Sequence, residues 1–183
     1  RGDPHGTHRA AAAGRPSRHP QRDVQRFEFL QHVNPDKHEL VHARRAQHDA
    51  ILVGGGTWRS DAPRLDVRLP GLESRSPARV VLTRGAAPAD GVTALPSPQA
   101  IASLAGVQYL YVEGGAETAA AFLAADLVDE LHLYRAPILI GDGKPALGPL
   151  GLASLDAAHG RWHAQERRQL GSDEFTAYFR SRS

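Results

Sequence analysis

Two short apolar runs of the chain stop abruptly at glycines, and these two points constrain the fold more than any other feature. Residues 49–53 are followed by Gly54, Gly55 and Gly56, and residues 107–112 are followed by Glu113-Gly114-Gly115. Apolar runs of this length that end at glycine are typical of buried strands in an α/β sheet. Because ligands of open α/β sheets bind at the carboxyl ends of strands, both turns are candidates for ligand binding.

The rest of the pattern predicts strands that alternate with helices. We expect helices over residues 36–47 and 116–125, further strands over residues 78–83, 128–134 and 137–143, and a loop over the Pro-, Gly- and Ala-rich residues 84–99. Residues 163–169 and 175–179 flank turn residues and predict a late hairpin. This order predicts an α/β fold with a mostly parallel central sheet, flanking helices and an antiparallel C-terminal hairpin.

The first part of the chain differs from the rest. Residues 1–24, most of the segment 1–30 that precedes the expected domain, hold almost no large apolar side chains and show no regular period. Such a segment buries too little surface to offset its ordering entropy, so we expect an atypical, disordered leader that adds no strand. One domain is then expected over residues 31–183.

The composition excludes several classes of site. The chain has no cysteine, which excludes disulfides, thiolate catalysis and cysteine-ligated metals. Its net charge is only +2 without a dense basic stripe, so we expect no nucleic-acid partner. No apolar run approaches the roughly 20 residues that span a bilayer, so we expect no membrane segment and a cytoplasmic location. His38 and His42 are four residues apart on a predicted helix, and we expect surface side chains there rather than metal ligands.

Polar residues around the glycine turns are candidates for binding phosphate and ribose. Thr57 can donate to a phosphate or ribose oxygen, and Asp61 can accept from a ribose; the alternative is an ordinary turn in which the aspartate bonds its own backbone. Arg45 and Arg68 could each hold a phosphate through two hydrogen bonds, and the alternative is a solvated surface position. The helix that starts near Ala116 offers its N-terminus to an anion.

The order of these pieces resembles one family. Residues 45–68 follow the pattern R-A-x-x-D-A-[IV]-x-V-G-x-G-T-x-x-x-D-D-P-x-L-x-x-R, and residues 111–116 and later segments extend the match over about residues 31–155. In these residues the chain resembles the reductase domain of the bifunctional riboflavin-biosynthesis deaminase–reductase. The resemblance implies a dihydrofolate-reductase-like fold, NADPH as hydride donor, and reduction of the ribosyl group of 5-amino-6-(5-phosphoribosylamino)uracil to a ribityl chain.

The resemblance also implies site residues, a substrate and an assembly. It implies a cofactor site at Gly54, Gly56, Thr57, Asp61, Gly115, Ala116, Glu117, Thr118 and Ala119. It implies a substrate site at Arg45, Leu65, Arg68 and Glu113, in which the two arginines face the phosphate of a small phosphorylated pyrimidine. It assigns no catalytic proton donor, and it implies a homodimer.

The chain departs from the family pattern at two places. Ala62 replaces the second aspartate of the D-D-P motif, which we interpret as a mild change. The opening motif S-L-D-G-R-x-A-T has no counterpart in the leader, although codons for residues 13–19 read one base forward can spell Leu-Asp-Gly-Arg-x-Ala-Thr. Two alternatives therefore stay open: another NADPH reductase on the same fold with a pterin-like substrate, and an inactive truncated relic that lacks one strand.

Overall fold

The protein folds around one sheet of eight strands. The computed structural model describes residues 26–31 and 38–181 of the 183. The strands are β1 (Arg26–Gln31), β2 (Ala50–Gly54), β3 (Ala78–Leu82), β4 (Val92–Leu95), β5 (Tyr109–Val112), β6 (Glu130–Arg135), β7 (Trp162–Leu170) and β8 (Asp173–Arg180). The α-helices are α1 (His38–Arg45), α2 (Gly55–Asp61) and α3 (Ala116–Ala124), and short 3-10 helices lie at Glu73–Arg75, Pro98–Ser103 and Asp156–Ala158.

The strand order is β4-β3-β2-β5-β1-β6-β8-β7. The first six strands in this order pair in parallel, and β8 pairs antiparallel with both β6 and β7. The predicted fold class, a mostly parallel sheet with an antiparallel C-terminal hairpin, is therefore confirmed. No helix in the described part of the chain has both the length and the apolar character to cross a bilayer.

Alternate residues of the central strands feed two hydrophobic clusters, one on each face of the sheet. On β2, Leu52 packs in a cluster with Phe122 of α3, whereas Ile51 and Val53 pack in a cluster with Val41 of α1. Since side chains alternate between the two faces of a strand, α1 and α3 cover opposite faces. Burial on both faces explains why these strands read as continuous apolar runs in the sequence.

Four segments differ from the sequence predictions. Strand β1 lies between β5 and β6, so the expectation that the leader adds no strand is wrong at residues 26–30; residues 1–25 lie outside the described residues. Residues 92–95, predicted as loop, form β4, and the glycines after β2 begin a helix. Residues 137–143, predicted as a strand, form none.

The topology brings the two glycine turns together. Strands β2 and β5 are adjacent and parallel, with Leu52 opposite Val112. Helix α2 begins directly after β2, and three residues separate the end of β5 from the start of α3. The two turns therefore lie side by side at the carboxyl edge of the sheet, where the sequence predicts a ligand site.

Candidate functional site

The two glycine turns meet at the side chain of Thr118 on α3. A Cβ atom on Gly54 would lie 2.3 Å from Thr118 Oγ1, and a Cβ atom on Gly114 would lie 2.7 Å from Thr118 Cβ and Cγ2. Both distances are far shorter than a normal contact, so glycine is required at both positions for the turns to approach α3 this closely. Thr118 and Ala119, both predicted to contact the cofactor, are themselves buried.

The opposite side of the same turns is open. Among the residues that the structure describes, a Cβ atom on Gly56 would meet nothing within 4 Å, and one on Gly115 would meet only Thr57 Oγ1, at 4.0 Å. Thr57 is half-buried, whereas Glu117 and Asp61, the last residue of α2, are exposed. Gly56, Gly115, the Thr57 side chain and the start of α3 thus lie on the more exposed side of the two turns.

Arg45 and Glu113 form a buried ion pair at the end of β5. Arg45 Nε and Nη2 donate to the two carboxylate oxygens of Glu113 at 2.7 and 2.6 Å, and the two side chains are only 12% and 14% exposed. Burial alone would lower the pKa of the Arg45 guanidinium, but the hydrogen bond and charge of Glu113 outweigh it and raise the pKa above its ordinary value. Such paired, two-point contacts are the strongest that a carboxylate makes with a side chain.

The segment from residue 62 to residue 68 carries the remaining predicted substrate residues. Leu65 is buried in the core cluster of α1 with a left-handed backbone (φ 57°), so its side chain faces the core. The side chain of Arg68 is 51% exposed, and its Nε lies 3.6 Å from Asp66 Oδ1. Arg45 Nη1 also donates to the Asp66 carbonyl at 2.9 Å, which ties this segment to the ion pair.

The structure thus separates the roles of the two arginines. All three guanidinium nitrogens of Arg45 donate hydrogen bonds to other residues of the protein, whereas the Arg68 side chain extends toward solvent. A cavity of about 270 Å³ opens beside the same segment, lined by Arg64, Leu65, Asp66, Ser76, Pro77 and Arg79.

Sequence reasoning missed the contribution of two residues to this site, His42 and Ser76, and one part of the role of Thr118. His42, expected at the surface, is only 4% exposed, and its Nδ1 accepts a hydrogen bond from the Arg68 backbone N–H at 3.1 Å. The Ser76 hydroxyl accepts from the Val67 N–H at 3.0 Å. Thr118 was expected to contact the cofactor but also fills the space between the glycine turns. One signal in the sequence could have indicated the role of His42: it lies three residues before Arg45, so the two side chains share one face of the helix.

Comparison with known proteins identifies the family. Residues 9–173 match the family described as the RibD C-terminal domain. The chain belongs to this family. A curated member, the riboflavin biosynthesis protein RibD of Mycobacterium tuberculosis, is 31% identical over 146 residues, which cover 73% of this chain and 43% of that protein. RibD of Bacillus amyloliquefaciens is 37% identical over 137 residues, covering 53% of this chain and 37% of that protein. The chain therefore spans less than half the length of these relatives.

Solved structures of RibD proteins share the fold. RibD of Acinetobacter baumannii superposes with a TM-score of 0.72 at 20% identity, over 87% of this chain and 58% of that one. A Thermotoga maritima protein, named as a diaminohydroxyphosphoribosylaminopyrimidine deaminase and 5-amino-6-(5-phosphoribosylamino)uracil reductase, superposes with a TM-score of 0.65 at 17% identity, over 86% and 56%. The Saccharomyces riboflavin biosynthesis reductase gives 0.62 at 16% identity, over 90% and 93%. The dihydrofolate-reductase-like fold implied by the sequence resemblance is confirmed.

In the described residues, 26–31 and 38–181, no three His, Asp or Glu side chains come together in a way that could hold a metal ion. The ligand-binding chemistry visible in this part of the chain is that of glycine backbone, hydroxyl, guanidinium and carboxylate groups. Such groups bind phosphates, sugars and amides.

Proposed function

We propose that the chain reduces the ribosyl group of 5-amino-6-(5-phosphoribosylamino)uracil to a ribityl chain, with NADPH as the hydride donor, in riboflavin biosynthesis. The observation that carries the proposal is the Arg45–Glu113 ion pair at the end of β5, beside the open glycine turns, in a member of the RibD C-terminal domain family. The reductase domain so defined includes the predicted residues 31–183 together with the preceding strand β1.

The cofactor is proposed to lie along the carboxyl edge of β2 and β5. The open space in front of Gly56 and Gly115 lets a ligand approach the backbone closely, which a side chain at either position would prevent. Gly54, Thr118 and the buried Ala119 support this surface from behind, while Thr57, Asp61 and the first two residues of α3, Ala116 and Glu117, border it. When bound, NADPH supplies the hydride. The protein's task is to hold the nicotinamide and the sugar in the right relative position.

The substrate is proposed to lie between Glu113 and Arg68, over the face of the sheet that α1 covers. Arg68 is the arginine whose guanidinium extends to solvent, and it would hold the substrate phosphate. The Glu113 carboxylate keeps lone pairs that can accept from a substrate hydroxyl or amide, because Arg45 fixes its orientation. Arg45 therefore acts mainly through Glu113 rather than on the phosphate, and the backbone of the segment around Leu65 closes the site.

A homodimer is proposed for the assembly. Ile138, Leu139 and Ile140 are consecutive and 64%, 103% and 76% exposed, which is an unusually apolar stretch of surface. A second copy of the chain packed there would cover it, and the Leu139→Asp variant should then shift the mass measured by light scattering from dimer to monomer. The reaction draws on a cellular NADPH pool, so we propose that the protein acts in the cytoplasm, without a nucleic-acid or membrane partner.

The proposal is tested by following NADPH oxidation at 340 nm with the phosphoribosylaminouracil as substrate. We expect turnover with this substrate and none with dihydrofolate, since only the former carries a phosphate for Arg68. Glu113→Gln should retain NADPH binding, seen as quenching of Trp58 fluorescence in a Trp162→Phe background, and should lose most turnover. Binding of NADPH without turnover of either substrate would favour the relic, and turnover of dihydrofolate alone would favour the pterin-like alternative.

A further inference from the structure

The buried histidine of α1 holds the loop that carries the exposed arginine of the site. His42 is 4% exposed, and its Nδ1 accepts from the backbone N–H of Arg68 at 3.1 Å. A backbone N–H can only donate, so Nδ1 must carry the lone pair and the ring proton must sit on Nε2. His42 is therefore neutral and held in one tautomer while it makes this bond.

The segment from Asp66 to Arg68 is tied down by side chains at each residue. Arg45 Nη1 donates to the Asp66 carbonyl, the Val67 N–H donates to Ser76 Oγ, and the Arg68 N–H donates to His42 Nδ1. Residues three apart on a helix lie on one face, so His42 and Arg45 act from the same face of α1. That face thus contacts both the Arg68 backbone and, through Arg45, the carboxylate of Glu113.

We propose that His42 is a positioning residue that sets the place of the Arg68 guanidinium for a sugar phosphate. The proposal rests on the proposed function and deepens it. The bond fixes the backbone at the root of the Arg68 side chain, while the side chain itself is 51% exposed and its Nε lies 3.6 Å from Asp66 Oδ1. Because the backbone of Arg68 is already fixed, its side chain loses less conformational entropy when it binds a phosphate. The affinity for the phosphate therefore depends on His42.

The experiment measures binding of ribose 5-phosphate by isothermal titration calorimetry, which requires no turnover. His42→Ala should weaken binding about five- to tenfold, as expected for loss of one buried hydrogen bond. His42→Asn should stay within about twofold of the wild type, because the amide oxygen can take the place of Nδ1 as acceptor. His42→Gln should weaken binding as much as His42→Ala, since the glutamine amide lies one bond farther from the backbone. The comparison of the asparagine and glutamine variants therefore tests the positioning role even when the alanine variant does not fold.

A matched control lies six residues along the chain. His48 is also buried, and its Nδ1 bonds the Arg44 carbonyl at 2.7 Å rather than the Asp66–Arg68 segment. His48→Asn should leave ribose 5-phosphate affinity unchanged. NADPH affinity, read from Trp58 fluorescence, should be the same in the wild type and in the folded His42 variants.

A double-variant cycle separates positioning from general destabilisation. In an Arg68→Ala background, which should itself weaken binding at least about tenfold, His42→Ala should cause no further loss, because the guanidinium that it positions is gone. Additive losses, equal affinity in all His42 variants, or no binding of ribose 5-phosphate to the wild type would each overturn the proposal. If binding depends on His42 while the pyrimidine substrate is not reduced, the positioning role stands and the proposed reaction fails.

Discussion

The packing of Thr118 between the two glycine turns gives the sharpest test of how the site is built. In Gly54→Ala the new methyl group would lie 2.3 Å from Thr118 Oγ1, about 1 Å inside a normal contact. Gly54 has an ordinary extended backbone (φ −72°, ψ 152°), so alanine brings no backbone strain and the whole cost comes from this clash. Overpacking of this kind costs about 1–3 kcal/mol of unfolding free energy.

Removing the hydroxyl should remove the cost. In Gly54→Ala/Thr118→Ala the nearest remaining side-chain atom would be Cβ of residue 118, at 3.7 Å, which is an ordinary contact. The double variant should therefore be about as stable as Thr118→Ala alone, with a coupling of about 1–3 kcal/mol in favour of the pair. Gly114→Ala behaves differently, because its methyl group would lie 2.7 Å from Cβ of residue 118 itself, which alanine retains. Thr118→Ala removes Cγ2, which lies at the same 2.7 Å, but leaves the contact with Cβ, so it should rescue Gly114→Ala only in part.

Urea unfolding followed by tryptophan fluorescence measures these differences. Gly56→Ala is the matched control, since its methyl group meets nothing within 4 Å and lies inside α2, where alanine should be neutral or stabilising by up to about 1 kcal/mol. The reasoning is refuted if Gly54→Ala is as stable as the wild type. It is equally refuted if Thr118→Ala rescues Gly114→Ala as well as it rescues Gly54→Ala.

Three further predictions concern charge and backbone strain. Arg45→Ala leaves the Glu113 carboxylate, only 14% exposed, without its partner, and should cost about 3 kcal/mol in urea unfolding; adding Glu113→Gln should restore part of it. Ala62→Gly should raise the Tm by about 2–4 °C in a thermal melt, because Ala62 has a left-handed backbone (φ 40°) at the end of α2. The pKa of Asp126 is lowered, first by the hydrogen bond from Arg180, so its carboxylate stabilises the fold above pH ~4 and this contribution is lost as the pH falls through the lowered pKa. Asp126→Asn should therefore cost about 0.5 kcal/mol at neutral pH and nothing in strong acid.

The sequence predicts those parts of the fold whose pattern is local. Helix α3 and the hairpin of β7 and β8 agree with their predicted positions because alanine-rich periodicity and turn residues are short-range signals. Strand β4 was missed because four residues, with only Val92 and Leu95 buried, carry too little pattern against their Pro- and Gly-rich surroundings. The run at 137–143 is apolar without being a strand, because strand formation depends on packing and cross-strand neighbours and not on composition alone.

The candidate site could be predicted as a set of positions but not as an arrangement. The glycine turns were located because strand ends and helix starts are visible in the sequence. The pairing of Arg45 with Glu113 spans 68 residues, so it depends on the sheet order that places β2 beside β5. The change at Ala62, which seemed mild, falls on a left-handed position where the aspartate of the family pattern is better tolerated than alanine.

Two costly features of the chain lie together at the candidate site, and their proximity bears on the proposed function. A buried ion pair such as Arg45–Glu113 is often no more stabilising than apolar side chains of the same shape, because both charges lose their hydration. Leu65 adds a left-handed backbone in the segment tied to the same arginine through the Asp66 carbonyl. The stability of the fold explains neither feature. An apolar pair in place of Arg45 and Glu113, and a glycine in place of Leu65, would serve the fold as well. Both are consistent with the proposed site, in which a fixed carboxylate and a fixed loop would face a polar substrate, because strain of this kind persists where the geometry serves binding.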